Sequence, residues 1–190
     1  MPLELGGTAD VQEDGRLAAL MEKLGFGGRE MTVAGHSKHF VLRVVQPALI
    51  GLMDGSVSTL APVFAVAVAS QDARLAFLVG LAAAVGAAIS MGFSEGLSDD
   101  GSLTGRGGPV MRGVITGLAT FVGGILHTLP FLWPDVGTAL YVAFAVVGAE
   151  LLAISYIRYR YFAMSFWMSA LQVILGGALV FASGVLIGSA

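Results

Sequence analysis

The sequence predicts an all-α, polytopic membrane protein with five transmembrane helices. Of its 190 residues, 56% are hydrophobic and only 12% are charged, whereas soluble domains carry roughly 25% charged residues. Residues 41–190 contain five long apolar runs separated by short polar segments. Each run reaches the ~20 residues that an α-helix needs to cross a bilayer. We therefore expect a lipid bilayer to surround most of the chain.

The composition excludes several classes of function. The net charge is −3, and the basic residues are too few and too scattered for a nucleic-acid surface. The absence of cysteine excludes disulfides, thiolate metal sites and thiol catalysis. Any metal must therefore be held by oxygen, imidazole or thioether groups. No serine, histidine and acid are spaced to act together, so we expect neither an enzyme nor a permanently bound cofactor.

Two regions are predicted along the chain. Residues 1–40 form a polar lead-in, in which 11–24 is predicted as a short amphipathic helix because its apolar residues share one face. This N-terminus lacks the basic stretch followed by an apolar core that marks a secretory signal. Residues 41–190 form the predicted five-helix transmembrane domain.

The five spans are bounded by short segments rich in polar residues, glycine or proline, which are typical of turns. The connections are residues 70–73, 98–109, 134–135 and 158–161. The predicted spans between them are Val41–Ala69, Arg74–Leu97, Met111–Trp133, Val136–Ile157 and Phe166–Gly188. Small residues repeat every four positions from Gly80 to Gly96. This spacing predicts close helix packing, and some small pairs could also serve a homodimer contact.

The positions of lysine and arginine predict the orientation. Basic residues cluster before the first span and in the second and fourth connections. The first connection is followed only by Arg74, and the third connection and the C-terminus have none. Because cytosolic loops carry the excess of lysine and arginine, we expect a cytosolic N-terminus and a C-terminus outside.

Asp54 is the most informative residue of the sequence, because it lies near the middle of the first apolar run. A carboxylate at that depth is costly, and such groups usually serve an ion or proton pathway. Gly55 and Pro62 follow it in the same run. They predict a bend or a local unwinding of the helix, as in the discontinuous helices of transporter sites.

Two more acids, Glu95 and Glu150, are predicted in the cytosolic halves of the second and fourth spans. With Asp54 they would line a path from the cytosolic mouth to the midplane. Met91 precedes Glu95 by four residues and therefore shares its helical face. Oxygen ligands suit Mg, Ca and Mn, and an added thioether shifts the preference toward softer ions such as Fe(II), Co(II) or Cu(I).

Further polar side chains are secondary candidates for the same pathway. Asp99 and Asp100 extend the acidic face into the cytosol, and the hydroxyls of Ser58 and Thr59 follow Asp54 by about one turn. His127, toward the outer end of the third span, could be a proton or metal group on the exit side.

Four of the candidates also have an ordinary structural explanation. Glu95 is shallow and could snorkel to water, and Glu150 could be a buried acid paired with a hydroxyl or an arginine. Met91 could simply fill the core. His127 could be an amphipathic residue at the membrane interface.

Two motifs resemble the vacuolar iron transporter family: GLMDGS at residues 51–56 and GAAISMGFSEGLS at residues 86–98. The likeness covers roughly residues 42–190. The likeness is greatest to the membrane half of the bacterial membrane-bound ferritin iron exporters. Three motifs carry it: DGSVSTLAP at 54–62, SDDGSLTGRG at 98–107 and HTLPFL at 127–132. The resemblance implies a homodimer that exports Fe(II) or Mn(II) from the cytosol in exchange for protons. It also implies that Asp54 and Met91 are pathway ligands and that Glu95 is an entry-side ligand.

The chain departs from these relatives in its loading devices. Vacuolar members carry a glutamate-rich, metal-collecting segment between the second and third helices, where this chain has only residues 98–109. The membrane-bound ferritins carry an N-terminal ferritin-like domain, which residues 1–40 cannot accommodate. Metal capture would then depend on Asp99 and Asp100 or on a separate metal-delivering protein.

Two alternative functions follow from this departure. The protein could be a non-transporting membrane assembly subunit for a ferritin-like partner, or a passive divalent-cation channel. In each case the bacterial likeness favours the bacterial inner (plasma) membrane.

Overall fold

The computed structural model describes residues 38–101 and 104–190, and within these ranges five helices are long and apolar enough to cross a membrane. They are α1 (Lys38–Ser70), α2 (Ala73–Ser98), α3 (Pro109–Leu126), α4 (Val136–Phe162) and α5 (Phe166–Gly188). The described ranges contain no strand. These observations confirm the all-α fold class and the number of spans. The amphipathic helix predicted at 11–24 lies outside the described residues.

α1 is interrupted twice. A short helical stretch at Lys38–Phe40 leads into a π-helical turn at Val41–Val45, and the helix then breaks at Thr59, between Gln46–Ser58 and Leu60–Ser70. Pro62 explains the break, because it has no N–H for the carbonyl of Ser58 and its ring crowds that group. The interruption predicted near Asp54 is thereby confirmed.

Two predicted helix ends are wrong. α3 ends at Leu126 instead of Trp133, because Pro130 cannot donate a hydrogen bond to the Leu126 carbonyl. The chain continues as a 3-10 helix at Leu129–Leu132. α4 continues to Phe162 instead of ending at Ile157, since residues 158–162 include neither glycine nor proline.

The longer α4 changes the position of Glu150. The predicted end at Ile157 would put Glu150 within two turns of the end of the helix, but in the structure Glu150 lies near its middle. The helix terminates where Ala163 adopts a left-handed conformation with a φ of 52°.

Aspartates begin two of the helices. Asp72 accepts a hydrogen bond from the Leu75 N–H at 3.0 Å at the start of α2, and Asp135 accepts one from the Thr138 N–H at 2.7 Å at the start of α4. Such caps satisfy backbone donors that have no partner inside the helix. Hydrogen bonds from the Thr138 hydroxyl and backbone lower the pKa of Asp135. Both aspartates are thus explained as structural groups.

Glycines bring α1 and α3 into backbone contact. A Cβ atom added at Gly51 would overlap the carbonyl oxygen of Thr116, and one added at Gly55 would overlap that of Thr120. These two glycines flank Asp54 along the helix. The contact with α3 therefore fixes the rotation of α1 about its own axis at the level of Asp54.

Two other helix pairs use the same device. A Cβ at Gly113 of α3 would come within 2.6 Å of the Gly92 carbonyl oxygen of α2, and one at Gly184 of α5 within 2.7 Å of the Ala61 carbonyl oxygen of α1. The close packing predicted from the small-residue spacing is confirmed for these helices.

Aromatic rings fill the core on the side of the α1–α2 connection. Phe64 is buried, and its ring centroid lies 6.3 Å from Phe131, 5.0 Å from Phe144 and 5.2 Å from Phe181. Many large apolar side chains on the other faces are exposed, as expected for helices that contact lipid.

Candidate functional site

Asp54 lies midway between the ends of α1, about 24 Å from each at a rise of 1.5 Å per residue. Its side chain is half-buried and is hydrogen bonded to Ser58, one turn later. Ser58 itself is exposed on the protomer. The arrangement presents carboxylate and hydroxyl oxygens on one face of α1 near the middle of the helix.

Met91 lies at nearly the same height as Asp54. α1 and α2 share the end at Ser70 and Ala73, and measured from that end Asp54 lies at about 24 Å and Met91 at about 27 Å along their helices. Met91 is half-buried, on the helical face that also carries Glu95. A thioether and a carboxyl group thus occupy one level on adjacent helices.

Glu95 belongs to a cluster of four charged side chains at the other end of α2. Its Oε1 lies 2.6 Å from Nη2 of Arg106 and 3.0 Å from Nε of Arg112. Asp99 lies 3.1 Å from Nη1 of Arg112 and 3.5 Å from Nη1 of Arg106. We call Glu95, Asp99, Arg106 and Arg112 the charged cluster. It offsets two acidic groups with two basic ones where α2, α3 and their connection meet.

The two arginines of the charged cluster differ in burial. Arg112 is 1% exposed and also donates to the backbone carbonyls of Glu95 and Asp99 at 3.3 and 3.0 Å. Arg106 is 18% exposed and lies on the connection. Arg112 therefore fixes the α2–α3 junction, whereas Arg106 covers Glu95 from the water side.

Asp99 is an anionic group in this setting. The hydrogen bond from Arg112, supported by those from the Gly101 backbone and the Thr104 hydroxyl, lowers the pKa of Asp99. Asp100 is exposed next to it. Two acidic residues thus follow Glu95 at this end of α2, and Asp99 is paired with arginine; that this end faces the cytosol stays a prediction.

His127 and Glu150 meet in the interior of the bundle. The His127 ring is fully buried, with Nδ1 3.1 Å from Oε2 of Glu150 and Nε2 2.8 Å from the hydroxyl of Thr59. Thr59 in turn donates to the carbonyl of Gly55 at 2.8 Å. We call the hydrogen-bonded side chains of Thr59, His127 and Glu150 the buried chain. It connects the break in α1 to the middle of α4 through the residue that follows α3.

The interfacial alternative for His127 is therefore wrong, because the ring has no exposed surface. The helix ends at Leu126 and the following turn folds the ring inward, a consequence of Pro130 that a continuous helix would not give. The alternative that Glu95 snorkels to water is also wrong, since it is 9% exposed and paired with arginine. Glu150 is a buried acid with a partner, as one interpretation expected, although the partner is a histidine.

No three histidine, aspartate or glutamate side chains in residues 38–101 and 104–190 are close enough to hold a metal ion by themselves. The metal roles of Asp54, Met91 and Glu95 stay predictions, as do those of Ser58, Asp99 and Asp100. A complete coordination shell would need further donors, such as backbone carbonyls, water or a second protomer.

Sequence reasoning missed two features of the site. Arg106 and Arg112 were interpreted only as indicators of orientation, although acids in the last turn of a helix and arginines beyond a short connection predict ion pairing. Thr59 was expected to offer its oxygen near Asp54, but it bonds to His127 and Gly55. No local pattern relates Thr59 to a histidine 68 positions away.

Comparison with known proteins gives one family. The model of the VIT family matches residues 45–104 and, in a second partial match, residues 96–189. Together the matches cover all but the first turns of α1 and extend through α5. No curated protein and no solved structure matches the chain.

Proposed function

The chain belongs to the VIT family, and on that premise we propose that it exports divalent iron or manganese from the cytosol in exchange for protons. The family is one of membrane metal-ion transporters and not of enzymes, and the five apolar helices agree with a multi-pass membrane protein. The observation that carries the finer proposal is the carboxyl group of Asp54 at the midpoint of α1, at about the same height as Met91 of α2.

The charged cluster is the proposed entrance. A divalent cation that approaches Glu95 must replace the guanidinium of Arg106, which lies 2.6 Å from it. Arg106 is on the connection and partly exposed, so it can turn into water when the cation takes its place. Asp99 and Asp100 attract the cation to this end, either directly or from a separate metal-delivering protein.

Asp54 and Met91 are the proposed mid-membrane ligands. Carboxylate oxygen with thioether sulfur suits Fe(II) better than Mg²⁺ or Ca²⁺, which prefer oxygen alone. Ser58 adds a hydroxyl oxygen on the same face of α1. Release follows when a proton from outside neutralises negative charge in the bundle, because a charged carboxyl group without a counter-ion is disfavoured in a medium of low dielectric.

The proposal includes an orientation and an assembly. The N-terminus is cytosolic, so that the charged cluster faces the cytosol and the Ser70 end of α1 faces outward. The protein acts as a homodimer in a bacterial inner membrane, as the sequence resemblance implies. No cofactor is bound permanently, and the metal is the cargo.

Proteoliposomes test this function. Vesicles that contain the protein are given Fe(II) or Mn(II) on the side of the charged cluster, with and without an opposing pH gradient, and metal flux is followed with an enclosed indicator dye. Asp54→Asn is expected to abolish the flux, because it removes the negative charge with almost no change in shape. Asp72→Asn is the matched control, since asparagine caps a helix as well as aspartate does.

The outcomes separate the candidate functions. Flux that requires the gradient and is lost only in the Asp54 variant supports the exporter. Flux that ignores the gradient indicates a channel, and absence of flux with any divalent ion favours the assembly subunit. Normal flux through Asp54→Asn would refute the assignment of Asp54.

A further inference from the structure

The buried chain has an unusual composition for the interior of a membrane bundle. His127 is 0% exposed and Glu150 is 6% exposed, so the bundle encloses two titratable groups in direct contact. Oε1 of Glu150 is buried and has no hydrogen-bond partner among the described residues. A purely structural hydrogen bond would not require two ionisable partners, because a hydroxyl or an amide would serve.

The hydrogen bonds limit the protonation states of the pair. When the Thr59 hydroxyl donates to the Gly55 carbonyl, its oxygen accepts from Nε2–H of His127. Nδ1 of His127 must then share one further proton with Oε2 of Glu150, at 3.1 Å. The pair is either a neutral imidazole with a carboxylic acid or an imidazolium with a carboxylate. Both forms contain the same number of protons and have no net charge.

Removal of the shared proton would create an uncompensated charge. The neutral imidazole would then donate Nδ1–H to the carboxylate of Glu150 and accept at Nε2 from the Thr59 hydroxyl, and the bundle would enclose one net negative charge. The surrounding helices contribute little to balance it. α5 has no charged residue, and α3 has only Arg112, at its far end. α2 has only Arg74 and Glu95, near its two ends. Besides Glu150, α4 carries exposed tyrosines and, in its last turns, basic residues.

Lys38, His39 and Arg43 lie at the start of α1, and the acid of α1 nearest in sequence to Thr59 is Asp54. Thr59 follows it by five residues, about 7.5 Å along the axis toward the Ser70 end. A divalent cation bound at Asp54 would favour loss of the shared proton, since unlike charges attract strongly in a medium of low dielectric. By reciprocity, proton binding to the buried chain would weaken metal binding at Asp54.

We propose that His127 and Glu150, oriented by Thr59, form the site that binds the proton exchanged for the metal. The inference rests on the proposed function and adds to it a proton site separate from the metal ligands, on their outward side. In each cycle a proton from outside binds the pair as metal leaves, and it passes to cytosolic water when the next cation binds. The step moves one proton and no electrons.

Counting protons per metal ion in the same proteoliposomes tests the inference. Glu150→Gln keeps the shape and can donate an N–H to Nδ1, but its amide does not titrate. Metal flux down its own gradient is expected to persist, while the number of protons that move per metal ion falls and stimulation by a pH gradient is lost. Unchanged proton counterflow per metal ion would overturn the inference and leave the exporter intact.

A matched pair at Thr59 gives the answer if Glu150→Gln does not fold or does not transport. Thr59→Ser keeps the hydroxyl that orients His127, whereas Thr59→Val replaces it with a methyl group of similar size. Proton counterflow is expected to fall in the valine variant and not in the serine variant. Equal counterflow in both would overturn the inference. Absence of metal flux in the unmodified protein would instead refute the proposed function itself.

Discussion

Gly55 lies one residue after Asp54, and adding a single methyl group there tests whether the α1–α3 contact positions the site. In Gly55→Ala the new Cβ would lie 2.8 Å from the carbonyl carbon of Thr120 and 2.9 Å from the nitrogen of Gly124. Both are backbone atoms, so the clash is relieved only if the two helices separate. Overpacking of this kind costs about 3 kcal/mol at the upper end of its range.

Alanine also favours the helix over glycine by about 1 kcal/mol, so we expect a net loss of roughly 2 kcal/mol in Gly55→Ala. Gly86→Ala is the matched control, because a Cβ there has no atom within 4 Å. It should gain about 1 kcal/mol from helix preference alone. The two variants should therefore differ by roughly 3 kcal/mol in the free energy of unfolding.

The assay is reversible unfolding in mixed micelles, in which a denaturing detergent is titrated and tryptophan fluorescence is followed. Metal flux at matched amounts of folded protein should also fall in Gly55→Ala, because α1 would rotate or shift at the level of Asp54. A Gly55→Ala variant as stable as Gly86→Ala would refute the argument that these helices meet at backbone distance.

Three further predictions concern the charged cluster. Arg106→Gln should lower the KM for metal a few-fold, because it removes an ion pair near water worth roughly 1 kcal/mol; initial rates of uptake measure this, and a raised KM would contradict it. Arg112→Met should destabilise the protein by about 3 kcal/mol, since it removes a buried cation that is paired with the buried carboxylate of Glu95; the same unfolding titration should show it, and unchanged stability would be evidence against the role. Since the pKa of Asp99 is lowered in the fold, its contribution to stability is present above the unfolded pKa of about 3.9 and is lost as the pH falls through the lower folded value. The melting temperature should therefore fall less between neutral and acidic pH in Asp99→Asn than in the unmodified protein. Equal decreases in the two proteins would contradict this contribution of Asp99.

The helices were predictable from sequence because lipid imposes a simple length and hydropathy requirement on each of them. Asp54 was recognisable for the same reason, since an acid in the middle of an apolar run has no ordinary explanation. The end of α3 was predictable in principle from Pro130, but the apolar character of residues 127–133 concealed it. The end of α4 at Phe162 depended on residues with no strong preference in either direction.

The contacts of the polar side chains could not be predicted in the same way. His127 and Glu150 are 23 positions apart, and they meet because the chain turns inward after α3. Arg112 reaches Glu95 across the connection between α2 and α3. Such pairings depend on three-dimensional packing that one-dimensional periodicity does not contain. Whether Asp54, Met91 and Glu95 bind metal is a chemical prediction that the flux experiments address.

The break at Thr59 also has a mechanical consequence. The half of α1 that precedes it is held against α3 by Gly51 and Gly55, whereas the half that follows is held against α5 through Ala61, which meets Gly184. A change of angle at Thr59 would leave both contacts intact while tilting the two halves against each other. The first helix thus consists of two separately anchored segments that meet about 7.5 Å from its midpoint, and any change in the α3 contact is transmitted to the α5 contact only through Thr59.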